Sequence, residues 1–169
     1  GFPVKGGNDA NVAALGECWK GSGAGSRSMV MATLGTGIGG GIVLDGKIIG
    51  GAHGAGGEIG HMVLNPTESE ICGCGKRGCA EQYCSATGVV RLANRYLAAH
   101  DDESVLRRKR VIHCKDVFDA AKRGDIASMK ILDQMFDLLG MFLANVCCTM
   151  DPEVIVLGGG VSKAGQMLV

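Results

Sequence analysis

The stretch that decides the fold is Leu34-Gly35-Thr36-Gly37-Ile38-Gly39-Gly40-Gly41-Ile42-Val43-Leu44-Asp45-Gly46-Lys47. It opens after Ser28 to Leu34, a run that reads as a buried strand. Gly35 to Gly40 matches G-x-G-x-x-G, which alone is a weak signal. A dinucleotide fold would continue as a helix whose N-terminus faces a pyrophosphate. Here Ile42 to Leu44 begins a second strand, Asp45-Gly46 is a hairpin signal, and Lys47-Ile48-Ile49 returns as a third. The pattern therefore predicts strand, glycine turn, strand. Such a turn either is a plain hairpin rich in glycine or presents a nest of amides to phosphate oxygens, with the Thr36 hydroxyl as a further donor. Four glycines in six positions exceed what a turn needs and favour the nest.

Outward from this stretch the elements alternate. Val12, Leu15 and Trp19 recur at helical spacing after Asn8-Asp9, either of which can cap the helix. The segment 1–7 reads as extended, with Pro3. Thr87 to Ala99 is an amphipathic helix, Asp101 to Arg110 a solvated charged loop, and Lys115 to Arg123 a helix stopped by Gly124. Ile126 to Met150 is a long apolar helix ended by Asp151-Pro152. Glu153 to Leu157 reads as a buried strand that runs into Gly158-Gly159-Gly160, a turn able to let a base and sugar lie against backbone. Strands ending in glycine turns and interleaved with helices make an α/β layered domain. A covering helix is expected after Gly160, so the chain reads as part of a longer protein.

Bulk numbers narrow the class. Apolar residues make up 46% of the 169 and charged ones 20%, as in globular domains. Lys+Arg and Asp+Glu stand at 17 each, which gives no footprint for a phosphate backbone or an anionic membrane. No run reaches the roughly 18 uninterrupted apolar residues of a membrane helix, and no signal peptide opens the chain, so a cytoplasmic setting is expected. Glycine supplies 29 residues without a collagen period.

The densest chemistry lies between Gly50 and Glu81. His61, Cys72, Cys74 and Cys79 form H-x10-C-x-C-x4-C, a donor set suited to a closed, tetrahedral, structural zinc site. The alternatives are free thiols or a disulfide, and a Cys72–Cys74 bridge would be strained. Cys18, Cys84, Cys114, Cys147 and Cys148 read as small core residues, and His53, His100 and His113 as ordinary. Glu58 precedes His61 by three residues and Glu81 follows Cys79 by two. Both are either solvated or fixed beside the metal loop, where carboxylates suit the hydroxyl pairs of a sugar. Asp9 either caps the helix or points into a site above the sheet.

These residues together resemble the ROK family of bacterial sugar kinases and repressors, within the actin-like ATPase superfold. The resemblance rests on Asn8-Asp9-Ala10-Asn11 with Ala13 to Glu17, on Leu34 to Gly41, on Gly57-Glu58-Ile59-Gly60-His61-Met62, on Cys72 to Cys79 plus Glu81, and on Leu157 to Gly160. It implies an actin-like (ribonuclease H-like) α/β fold, a mixed sheet flanked by helices with a zinc-binding loop. Residues 1–28 would end an N-terminal lobe and its connecting helix; residues 29–169 would form a C-terminal kinase lobe, incomplete at its C-terminus. The implied activity is ATP-dependent phosphorylation of a hexose, first of glucose at its 6-hydroxyl. Fructose, mannose or an N-acetylhexosamine are the alternatives, as is a sugar-responsive transcriptional repressor. Asp9 would be the catalytic base. Asn8, Asp9, Glu58, His61 and Glu81 would hold the sugar, Thr36 and Gly37 the phosphates, and Gly159 and Gly160 the adenosine. Zn²⁺ on His61, Cys72, Cys74 and Cys79 and Mg²⁺ with ATP would be the cofactors. A homodimer or homotetramer is the implied assembly, with neither a membrane nor a nucleic acid as partner. A zinc-ribbon nucleic-acid module is disfavoured, because it wants a second Cys pair and a basic surface. The sequence departs from the family at Gly6-Gly7 and Gly56, and an Asp-x-Gly-Gly-Thr phosphate loop is absent from it.

Overall fold

The computed structural model describes residue 2 and residues 6–168. Four strands form a mixed sheet in the order β3-β2-β1-β4. These are β1 (Ser28–Leu34), β2 (Ile38–Leu44), β3 (Lys47–Ile48) and β4 (Val154–Gly158). β1 runs antiparallel to β2, from Ser28 opposite Leu44 to Leu34 opposite Ile38, and parallel to β4, with Met29 opposite Val154. Asp45 and Gly46, both at positive φ (47° and 72°), close the β2–β3 hairpin, as a two-residue type I′ turn requires.

Alternation along β1 sends side chains to two faces. Met29 and Met31 join Ala14, Val43 and Val156 under helix α1 (Asp9–Lys20). Val30, Ala32 and Leu34 join the larger core on the other face. That core is roofed by α2 (Glu81–Cys84), α3 (Ala86–Ala99), α4 (Cys114–Lys122) and α5 (Ile126–Met150). α5 is long and apolar enough, by length and composition, to cross a membrane. Its Ile131, Leu132, Met135, Leu139, Phe142 and Val146 are instead buried in this core, between Asp125 as N-cap and Asp151 in a left-handed C-cap.

Several expectations are corrected. Val12, Leu15 and Trp19 do mark a helix, but they are its exposed face (53, 42 and 76% exposed); Ala10 and Ala14 face the sheet. The cause lies in β2. A Cβ on Gly41 would stand 2.5 Å from the Ala14 Cβ and 2.9 Å from the Ala10 carbonyl oxygen, so helix and strand approach backbone to backbone. The glycine turn is accordingly shorter than expected: Gly35 to Gly37 turn, while Gly39, Gly40 and Gly41 lie within β2. β4 is half-buried rather than buried, with Val156 its one fully covered residue. Asp101 to Arg110 contains a 3-10 turn, Val105–Arg108, that buries Leu106. Of the cysteines expected in the core, Cys84 is buried, Cys18 and Cys114 are half-buried, and Cys147 and Cys148 are exposed on the outer face of α5. Most of the extended segment expected at 1–7 lies outside the described residues.

Candidate active site

At one end of the sheet the N-terminus of α1, the glycine turn and the segment from Glu58 to His61 face each other. Asn8 is the cap of α1: its Oδ1 accepts the Ala10 and Asn11 N–H groups at 3.0 and 3.2 Å. The capping alternative for Asp9 thus falls to its neighbour. Asp9 is the first helical residue, with Oδ1 2.8 Å from the Ala10 nitrogen. Glu58 precedes the 3-10 turn Ile59–His61, in which residues three apart eclipse, so Glu58 and His61 stand side by side. His61 Nε2 lies 4.0 Å from Glu58 Oε2.

Asn8, Asp9, Thr36, Gly37, Glu58, His61 and Glu81 line one open cavity of about 450 Å³. Glu81 enters it from the start of α2 and is tied down: its Oε2 accepts the Ile38 N–H at 2.9 Å. That approach is why position 37 has no side chain, since a Cβ there would fall 2.2 Å from the same carboxylate oxygen. The turn itself rests on the N-terminus of α3. The Ala86 N–H donates to the Gly35 carbonyl at 2.8 Å, and the Thr87 hydroxyl donates to the Thr36 carbonyl at 2.7 Å. A helix N-terminus beside a glycine turn is a favourable place for an anion.

Behind the cavity lies the cysteine loop. The ligand atoms of His61, Cys72, Cys74 and Cys79 all fall within 4.8 Å of one another. Cys72 Sγ is 3.7 Å from His61 Nδ1, and Cys74 Sγ is 3.6 Å from Cys79 Sγ. A tetrahedron with metal–sulfur bonds of about 2.3 Å has edges of about 3.8 Å, so the donor set fits a four-coordinate cation. All eight cysteines are free thiols, which disposes of the disulfide. Burial, then the neighbouring thiols, pushes Cys79 up to about 12, and burial also raises Cys72; a backbone N–H at Lys76 lowers Cys74. A cation held by these four donors would favour the thiolate form of the three cysteines. His61 would then face the cation with Nδ1 and the cavity with Nε2.

Gly159 and Gly160 are not brought into this cavity. Gly160 lines a separate, largely apolar one of about 400 Å³ with Ala86, Cys114, Phe118, Val161 and Ala164. Gly159, at φ 89°, turns the chain against the Leu34 carbonyl and lines neither of the two. Between the two cavities runs a shallow one of about 300 Å³, which shares Thr36 with the first and Ala86 and Cys114 with the second. Sequence reasoning missed Ala86, Thr87 and Cys114. The available signal was Ser85, a cap whose Oγ accepts the Gly88 N–H and starts α3 under the turn. A further cavity, of about 590 Å³ between Asp102 to Arg108 and Gly124 to Ile126, shares no lining residue with the first, and Arg107 there is already spent on the Leu97, His100 and Asp102 carbonyls.

The glucokinase of Halalkalibacterium halodurans is 45% identical over 171 aligned positions, 99% of this chain and 52% of the relative. That of Thermotoga maritima is 39% identical, over 95% of this chain and 51% of its own length. A crystal structure of a ROK family glucokinase from Streptomyces griseus, in complex with glucose and AMPPNP, superposes with a TM-score of 0.85 at 35% identity, over 95% of this chain and 53% of that one. The chain thus spans about half the length of the curated relatives it matches. With the mixed sheet, the glycine turn and the Cys/His loop in place, and the family's sequence profile matching residues 1–169, the chain belongs to the ROK family.

Proposed function

We propose that this chain supplies the hexose pocket and part of the nucleotide path of an ATP-dependent hexose kinase of the glucokinase type, which phosphorylates glucose at its 6-hydroxyl. The observation that carries the reading is the shared cavity: the Asp9 carboxylate, the glycine turn and three further polar side chains on the cysteine-loop side open into one space. In it Asp9 is the catalytic base. It orients the attacking hydroxyl and accepts its proton as the bond to phosphorus forms, which a carboxylate can do because phosphoryl transfer depends chiefly on positioning. Asn8, Glu58, His61 and Glu81 hold the other hydroxyls. Thr36 and Gly37, on the N-terminus of α3, receive the transferring phosphate. The adenosine lies in the apolar cavity beside Gly160, reached through the groove past Thr87 and Cys114; Gly159 acts there only through the turn it makes.

Zn²⁺ on His61, Cys72, Cys74 and Cys79 is structural in this reading, since four protein donors leave no open position. Mg²⁺ accompanies ATP and neutralises phosphate charge when bound. Residues 1–28 end an N-terminal lobe, and residues 29–169 belong to the C-terminal one. A cytoplasmic homodimer or homotetramer completes the picture. The repressor alternative has no use for an aspartate that shares a cavity with the glycine turn.

A coupled ADP-release assay on the full-length protein across a panel of hexoses tests the proposal. Glucose should give the highest kcat/KM, ahead of mannose, fructose and N-acetylglucosamine. No ADP release with any hexose would overturn it.

A further inference from the structure

The loop from Met62 to Ala80 carries the three cluster cysteines, and Glu81 follows it directly. Its attachment to the body of the molecule does not depend on the cysteines alone. On it lies Glu68, whose side chain is 2% exposed. Arg95 grips both its oxygens, each at 2.8 Å, Arg91 Nη2 donates to it at 3.0 Å, and the Tyr83 hydroxyl donates at 2.6 Å. A carboxylate so buried is tolerable only when donors satisfy it on every side, and here they do. Glu70 offers the two arginines a second acceptor, at 3.2 Å to Arg91 and 2.6 Å to Arg95.

The network closes around Glu81 from behind. Arg91 Nε donates to the Gln82 carbonyl at 3.0 Å. Gln82 Oε1 in turn accepts the Gly78 and Cys79 N–H groups at 2.8 and 3.2 Å, and its Nε2 donates to the Glu70 carbonyl at 3.2 Å. Residues on both sides of Glu81 are therefore tied to α3 by a route that contains no thiol. α2, which presents Glu81, is a single turn of four residues, too short to fix a direction by its own hydrogen bonds.

We propose that Glu68, through Arg91 and Arg95, is a positioning residue for hexose recognition: a second latch, independent of the metal, that holds Glu81 over the cavity. The proposal rests on the hexose-kinase reading. The cluster fixes the Cys79 end of the segment, the latch fixes the Gln82–Tyr83 end, and the carboxylate between them keeps its hold on the Ile38 amide. Planar, bidentate pairing gives this latch a defined geometry, which a mere charge would not.

The test uses full-length, metal-loaded protein. Glu68→Gln keeps the shape of the side chain and removes its charge. It should raise the hexose KM about tenfold and leave the ATP KM within about twofold, with metal content unchanged. Arg95→Lys, which keeps the charge but loses the fork, should move the hexose KM the same way by less. Independently of turnover, hydrogen exchange is followed after chelation under reducing conditions. Amides from Gly78 to Tyr83 should stay protected in the wild-type protein and lose protection in Glu68→Gln. If Glu68→Gln does not fold, Arg95→Lys carries both measurements. An unchanged hexose KM, equal rises for hexose and ATP, or equal exchange in the two chelated proteins overturns the latch. A wild-type protein without hexose turnover overturns the functional reading instead, and exchange alone then decides the latch.

Discussion

A single carboxylate separates two meanings of Asn8-Asp9. The Asn8 side chain is the cap of α1, while Asp9, whose Oδ1 shares the Ala10 N–H, is a residue of the cavity wall. Asp9→Asn should therefore cost about 100- to 10,000-fold in kcat in the full-length protein, the range for a lost general base, while hexose affinity by calorimetry stays near that of the wild type. Unchanged turnover would remove Asp9 from the mechanism. Glu68 makes a different prediction. Arg95, then its bonds to Tyr83 and the Glu70 amide and the charge of Arg91, hold its carboxyl far below the usual 4.5 against the opposing effect of burial. A group depressed on folding contributes stability that is whole above its unfolded value and lost as pH falls through the folded one. Melting temperature should thus begin to drop below about pH 4.5, and Glu68→Gln should flatten that slope.

At the scale of elements the glycines of β2 divide by what a Cβ would strike. On Gly41 it meets the Ala14 Cβ and the Ala10 backbone, neither of which can retreat. Gly41→Ala should destabilise the fold by about 1–3 kcal/mol, read by denaturant unfolding. On Gly37 it meets only the end of the Glu81 side chain. Gly37→Ala should leave stability nearly unchanged and raise the hexose KM. An equal loss of stability in the two variants would contradict this division. The same glycines mark where the sequence was hard to read. The bounds of β1 and α5 were legible because apolar runs and end signals, such as Asp151-Pro152, agree there. The extent of the turn was not, because a missing Cβ serves a bend and a close helix–strand approach equally well. Nor could periodicity choose between the Val12/Leu15/Trp19 stripe and the Ala10/Ala14 stripe, since the choice depends on how near Gly41 lets the helix come. Asp9, Glu58, His61 and Glu81 were each visible through their neighbours. Glu68 was not, because its partners are assembled by the fold, 15 to 27 residues away.

For the molecule as a whole, the cysteine loop stands apart from the two hydrophobic clusters. Residues from Asn65 to Cys79 contribute nothing to either cluster, and Ile71 lies 64% exposed. A segment with so little apolar burial must be ordered by other bonds, and here these are the four-donor site and the Glu68 latch. Metal analysis of reduced, folded protein should accordingly find about one zinc per chain, the stoichiometry of one closed site. Stability is not uniform in such an arrangement, because the sheet and its helices do not rest on the loop. Chelation should release the Ile71 to Arg77 turn first, seen as faster hydrogen exchange there, while the sheet amides of β1 and β2 and the main melting transition stay nearly where they were. Sheet and loop lost together on chelation would make the cluster a keystone of the fold, and a folded, reduced sample with no bound metal would refute it.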